Sequence, residues 1–221
     1  MVLYDSTRGG NEGLSSAEAI KKGISSNGGL YVPRTFEKIS IDEITSLKDM
    51  SYQDRAVTIL KRFLDDFTIE ELKDCVSKAY SHEKFTSPDI APVKPLNDSL
   101  SILELWHGPT CAFKDMALQI LPHFMVKSMK KTGEQCEIVI LVATSGDTGK
   151  AALEGFADVE GTKIIVFYPD NGVSEVQKYQ MITQTGSNVK VIAVKGNFDD
   201  TQTGVKTIFT DKELNDKLET K

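Results

Sequence analysis

The sequence predicts an α/β protein: a helical amino-terminal segment followed by a parallel β-sheet with crossover helices. Three observations carry that prediction. Apolar residues recur at helical spacing over the first 97 residues. Pro88, Pro92 and Pro95 then crowd residues 81–97, at a density that neither a helix nor a central strand tolerates. Past them, continuous apolar runs alternate with amphipathic stretches, the pattern of parallel strands joined by right-handed helical crossovers. The chain is therefore expected to form a helix-rich domain over 1–97 and an α/β domain over 98–221, with the proline-rich stretch as linker.

Taken in order, Ser15 and Ser16 can cap a helix over SSAEAIKKGI, with Glu18 in its first turn. Gly28, Gly29 and Pro33 break the chain around the short apolar stretch LYV. Val57, Leu60 and Leu64 lie at helical spacing in YQDRAVTILKRFLDDF, and Thr68 with Glu71 forms a capping-box pattern leading into ELKDCVSKAY. These two helices are expected to stack on each other. SILEL (101–105) reads as the first strand of the sheet, and 113–130 as one helix with Leu118, Leu121, Met125 and Met129 on one side. EIVILVAT (137–144), KIIVFYP (163–169) and VKVIAV (189–194) follow as apolar strands. Between them come helices over 149–157 and 174–186, the second closed by Gly186, and DKELNDKLETK ends the sequence as a charged amphipathic helix.

Composition narrows the function classes. With 221 residues, 40% hydrophobic and 26% charged, the chain has the profile of a globular protein rather than a disordered one. The net charge of −6 and the scattered basic residues leave no footprint for a nucleic-acid partner. Cys75, Cys111, Cys136, His82, His107 and His123 are too widely spaced for a zinc pattern, so no metal is expected. No apolar run reaches the roughly 18 residues of a membrane span, and the opening MVLYDSTRGGNEG lacks an apolar core. A cytoplasmic location is expected.

Two stretches carry candidate chemistry. In ATSGDTGKAALEGF (143–156) a Ser/Thr/Gly-rich turn follows an apolar strand and opens a helix. Thr144, Ser145, Gly146, Thr148 and Gly149 there can offer backbone N–H groups to an anion at the carboxyl edge of a parallel sheet. The turn is neither a Walker A loop nor GxGxxG, and Asp147 would repel an anion unless it caps the helix. A simple capped helix start is the alternative. The second stretch, LELWHGPTCAFKDMALQ (103–119), seats Lys114 near Trp106, Phe113 and Met116. Most lysines are solvated surface charges. Partial burial among apolar groups would instead lower the amine's pKa and let it attack an aldehyde, a chemistry that suggests pyridoxal phosphate. His107 and Thr110 flank the turn and could touch substrate, although a histidine beside Trp106 is equally a packed structural residue.

HGPTCAFKD (107–115) and TSGDTG (144–149), preceded by YDSTRGG near the start and NGGLYVP at 27–33 and followed by YPDNGVSEVQKYQM (168–181), resemble the threonine synthase family over essentially the whole chain. The resemblance implies a fold-type II, tryptophan synthase β-like pyridoxal phosphate lyase that converts O-phospho-L-homoserine and water to L-threonine and phosphate, the last step of threonine biosynthesis. It further implies that Lys114 bonds to the cofactor and later shuttles protons. Asp147 would face the cofactor's ring oxygen, and Thr144, Ser145, Gly146 and Thr148, with His107 and Thr110, would meet the substrate. Asp147 stands where many fold-type II relatives carry asparagine, and aspartate resembles the threonine synthase branch. Ser174 and Gln177 begin a helix that could face the same cleft, although Ser174 is more simply an N-cap.

Members of that family are about twice this length, and their cofactor-phosphate loop and pyridine-nitrogen partner find no counterpart in these residues. The expectation is thus an amino-terminal half that is catalytically poor by itself, with an exposed apolar sheet edge or face favouring self-association. The rival readings are a dehydratase-like fold-type II lyase and a non-catalytic threonine-synthase-like binding protein.

Overall fold

The computed structural model describes residues 1–219. It divides into two compact units, one made of Met1–Cys111 with Ile120–Cys136, the other of Ala112–Gln119 with Glu137–Lys221.

In the first unit β1 (Tyr4–Ser6) pairs antiparallel with β2 (Tyr31–Pro33), which joins the YDSTRGG and NGGLYVP stretches into one small sheet. Between them lies α1 (Ser16–Lys22), closed at its start by the Ser15–Glu18 capping box and at its end by Gly23, which takes a positive φ of +68° and donates its N–H to Ala19 O. The helices α2 (Ile41–Ser46), α3 (Tyr52–Lys61) and α4 (Ile69–Ala79) follow, α4 through the expected Thr68–Glu71 box. α3 and α4 pack together as their apolar stripes predict.

SILEL does not begin the parallel sheet. β3 (Val93–Asn97) and β4 (Leu100–Leu103) form a separate antiparallel hairpin in the first unit, and the proline-rich stretch supplies the partner strand. Pro95 is tolerated because the hairpin has two strands only and the register slips between Pro95 and Asn97.

The helix expected over 113–130 is two helices. α5 (Asp115–Leu118) ends, Gln119 and Ile120 intervene, and α6 (Leu121–Lys131) begins with Pro122 in its first turn. Proline clashes with the carbonyl four residues back, here that of Leu118, so the first helix stops there. α6 returns to the first unit and packs on α1 and α4. Lys127 and Lys131 reach Asp74 and Glu71 of α4 at 2.9 and 2.7 Å, and Phe124 meets the fully buried Phe67 edge to face.

The second unit is the expected parallel sheet. β5 (Ile138–Ala143), β6 (Thr162–Pro169) and β7 (Val189–Val194) lie in that spatial order, with α7 (Asp147–Phe156) and α8 (Glu175–Ile182) as the connections. The central strand buries Ile164, Val166 and Tyr168. α8 stops at Ile182 rather than at Gly186, which at φ +146° belongs to the turn into β7. α9 (Phe198–Thr210) packs on β5 and β6, and α10 (Lys212–Glu219) follows. Thr220 and Lys221, the end of the charged helix read from the sequence, lie outside the described residues. Val139 of β5 and Val176, Tyr179 and Ile182 of α8 leave apolar surface uncovered. None of the described helices is long and apolar enough to cross a membrane.

Candidate functional site

The parallel register sets Ala143 opposite Phe167, so the chain leaves the carboxyl ends of β5 and β6 side by side, where open α/β sheets bind ligands. The β5 exit is the TSGDTG turn. Thr144, 2% exposed, extends the strand ladder through its N–H to Phe167 O (3.0 Å). Its hydroxyl accepts from the N–H groups of Gly146 (3.1 Å) and Gly149 (2.9 Å) and donates to Gly146 O (3.1 Å). Thr144 thereby performs the duty of an N-cap from two residues upstream of Gly146, the residue at the cap position.

Gly146 sits at φ +150°, in the region that favours glycine. A Cβ there would also fall 2.4 Å from Gln177 Nε2. At Gly149 a Cβ would fall 2.3 Å from the Thr144 methyl, so that glycine is dictated by space.

Asp147 accepts no N–H of α7, which removes the reading of it as the helix cap. Asp147 Oδ1 accepts instead from Gln177 Nε2 at 2.8 Å. Ser145, Asp147 and Thr148 are exposed, and their N–H groups and the two hydroxyls bond to none of the described residues. Free N–H groups at the start of a ten-residue helix attract a negatively charged group.

Lys114 stands immediately before α5. It is half-buried, its Nζ lies 4.4 Å from the centroid of the exposed Phe113 ring, and it makes no ion pair among the described residues. Of the neighbours read from the sequence, Phe113 supplies this contact, while Trp106 belongs to the first unit and stacks on His107. α5 and α7 pack directly, and the contact is tight: a Cβ on Gly155 of α7 would fall 2.1 Å from Leu118 O of α5. The helices that carry the lysine and the glycine turn are thus braced against each other.

His107 and Thr110 lie in the first unit. Both ring nitrogens of His107 are engaged, Nε2 by Glu104 at 2.8 Å and Nδ1 by Thr86 Oγ1 at 3.1 Å, and Thr110 is buried. Cys111, next along, takes a left-handed φ of +58° and closes a turn through its N–H to Gly108 O (3.1 Å).

The β6 exit leads to α8. Ser174 is its N-cap as expected, and Gln177 completes the capping box. The sequence placed Gln177 at the start of a helix that could face the same cleft, but did not single out Asp147 as its partner. Lys178 binds Asp170 at 3.0 Å, and this contact raises the lysine's pKa.

The family profile described as "Threonine synthase N terminus" matches residues 3–80. Threonine synthase of Pseudomonas aeruginosa is 40% identical over 96% of this chain and 44% of its own length. Human threonine synthase-like 1 is 40% identical over 90% of the chain and 27% of its own length. A crystal structure of pyridoxal phosphate-bound threonine synthase from Brucella melitensis superimposes with a TM-score of 0.91 at 35% identity, covering 99% of this chain and 47% of that one. The chain spans less than half the length of each of these relatives. Along nearly its whole length the chain is similar in sequence and structure to part of the threonine synthases, and the profile of their amino terminus matches residues 3–80.

Proposed function

We propose that the chain supplies the lysine-bearing part of a pyridoxal phosphate-dependent threonine synthase, which converts O-phospho-L-homoserine and water to L-threonine and phosphate. The observation that carries this reading is the half-buried Lys114 amine, without an ion-pair partner among the described residues, on a helix braced against the one that TSGDTG opens. The turn fits the cofactor and its substrate by its donor set: unused N–H groups, two hydroxyls and one fixed carboxylate.

When bound, pyridoxal phosphate supplies an electron sink for charge that develops on the substrate's carbons. Lys114 Nζ would hold the cofactor through its aldehyde, and the same amine would be the group that takes up and returns protons. Asp147 orients the cofactor's ring, and Ser145, Thr148 and the free N–H groups bind the substrate carboxylate. Thr144 and Gly146 act through the shape of the turn, since the Thr144 hydroxyl is already used within it. His107 and Thr110 are assigned to the frame rather than to substrate. Because the relatives are more than twice as long, we propose the complete activity for a protein of their length. A small-molecule substrate and a cytoplasmic location belong to the same reading.

The test is borohydride reduction in the presence of pyridoxal phosphate, followed by peptide mapping. One dominant adduct on Lys114, absent from Lys114→Ala, is expected. Modification spread evenly over surface lysines would refute the assignment. The second reading is a non-catalytic threonine-synthase-like binding protein. In that case no adduct forms on Lys114, and a protein of full family length releases no phosphate from O-phosphohomoserine.

A further inference from the structure

A carboxylate is out of place in a turn that attracts anions, unless something decides which ligand atom meets it. Gln177 is placed to decide it. Its amide is fixed at both ends: Nε2 donates to Asp147 Oδ1 at 2.8 Å, while Oε1 accepts from the Ser174 N–H at 3.2 Å and the Ser174 hydroxyl at 3.1 Å. Turning the amide over would set its oxygen against the carboxylate and its NH2 against the Ser174 N–H, so one orientation alone satisfies both ends. The amide lies flat against Gly146, where no Cβ would fit. Asp147 Oδ2 accepts from none of the described residues and is the carboxylate oxygen left wholly open.

We infer that Gln177 is a positioning residue for the site. It clamps Asp147 by Oδ1 and so presents Oδ2 to an O–H or N–H donor of the bound molecule, while the neighbouring N–H groups take its anionic end. The turn then selects a ligand with a donor and a negative group close together, and rejects a plain dianion at the Asp147 end. This rests on the function proposed above only in taking the turn to be a ligand site.

Four variants test it in the chain as it stands. Gln177→Met keeps the length and loses the amide. Gln177→Glu keeps an acceptor for Ser174 but sets a second carboxylate against Asp147. Ser174→Ala weakens the α8 cap and spares the clamp. Asp147→Asn combined with Gln177→Glu rebuilds the contact with donor and acceptor exchanged, leaving an amide oxygen in the open position. The first readout is the carbon-13 chemical shift of the Asp147 carboxyl in the ligand-free chain, which reports the hydrogen bond it accepts. It should move in Gln177→Met and in Gln177→Glu and stay put in Ser174→Ala. The second readout is the pyridoxal phosphate concentration needed for half-maximal reducible adduct on Lys114. It should rise about tenfold in the two single Gln177 variants, a loss comparable to one charge-assisted hydrogen bond, stay unchanged in Ser174→Ala, and return toward the parent value in the double variant. Equal carbon-13 shifts in Gln177→Met and Ser174→Ala, or no recovery of adduct formation in the double variant, would overturn the role of Gln177. If the parent chain forms no adduct on Lys114, the proposed function fails, while the carboxyl shift still tests the clamp.

Discussion

The glycine turn at 144–149 and the lysine stretch at 112–118 belong to one unit and are built in opposite ways. In the turn, the Thr144 hydroxyl makes three hydrogen bonds, two glycines sit where no Cβ fits, and the single carboxylate is held by an amide from another helix. In the lysine stretch the backbone is an ordinary helix start, Asp115 is buried, and the Lys114 ammonium rests on an exposed ring. The turn spends the Thr144 hydroxyl and one oxygen of Asp147 on its own shape, and leaves the hydroxyls of Ser145 and Thr148 and the N–H groups of Ser145, Asp147 and Thr148 open. The lysine stretch leaves its side chain open. A binding frame has to keep its shape before the ligand arrives, whereas a group that must bond and release has to remain uncommitted.

The largest effect should come from the point where the two stretches are braced. Gly155→Ala would normally steady a helix by up to about 1 kcal/mol. Here the new methyl meets the backbone oxygen of Leu118 at 2.1 Å, and a backbone atom cannot rotate away. A net loss of about 3 kcal/mol or more is expected, read as a shift in the urea midpoint at constant slope. A stabilised Gly155→Ala would mean that α5 and α7 are free to part.

Next in size is the knot of the turn. Thr144→Val keeps the shape of a side chain that is 2% exposed and removes its hydroxyl. The Gly149 N–H keeps a second acceptor in Gly146 O at 3.1 Å, so the Gly146 N–H is the group left stranded. One buried unsatisfied donor predicts a loss of about 2 kcal/mol in the same urea measurement. A change below about 0.5 kcal/mol would mean that water replaces the hydroxyl.

How much of this was legible follows from which forces are local. The capping boxes at Ser15 and Thr68, the stacked helices α3 and α4 and the three strands of the parallel sheet were readable because spacing and end signals lie within a few residues of one another. The break before Pro122 was written in the sequence as well, since a proline four residues after Leu118 forbids one continuous helix, but the apolar spacing of Leu118, Leu121, Met125 and Met129 obscured it. α9 was hidden by Gly204 and by threonines, which have weak helix propensity. Thr201 and Thr207 bond back to carbonyls four residues earlier in the folded helix. The pairing of SILEL with a proline-bearing strand was not legible from period alone, because an apolar run does not say which partner it takes. At the site, the position of TSGDTG was readable from the strand before it. The Gln177–Asp147 contact spans thirty residues and depends on the neighbouring exits of two parallel strands, which no local pattern encodes.

Acid should loosen the first unit through a group with no part in either stretch. Burial, followed by the nearby cations Lys84 and Lys78, pushes the His123 pKa from 6.5 down to about 4. The unfolded chain therefore takes up a proton near pH 6.5 that the folded one refuses until about pH 4. Stability falls as pH drops through that window and levels off below it. Discounted for the ring's partial exposure, the loss should be about 1 kcal/mol. It is followed by the fluorescence of Trp106, the one tryptophan and a residue of the same unit. His123→Phe should flatten the slope between pH 6.5 and 4.5, above the window in which carboxylates such as Glu71 and Asp74, with their lowered pKa values, begin to contribute. A slope that survives the substitution would place the acid-sensitive group elsewhere.

The smallest effect on stability and the most complete effect on chemistry should come from the same residue. Lys114→Met keeps the unbranched stem that packs beside Phe113 and removes the ammonium, whose visible contact is a cation–π approach at 4.4 Å to an exposed ring. Such contacts contribute about 0.5–1 kcal/mol at exposed sites, and the more apolar methionine offsets part of that, so the urea midpoint should move by less than about 0.5 kcal/mol in free energy. The reducible pyridoxal phosphate adduct should vanish. If the contrast between the two stretches is real, the two readouts separate cleanly, because a group kept free for bonding contributes little to the fold that carries it. A large loss of stability in Lys114→Met would instead make the amine a structural anchor, and the lysine stretch would then be built on the same plan as the glycine turn.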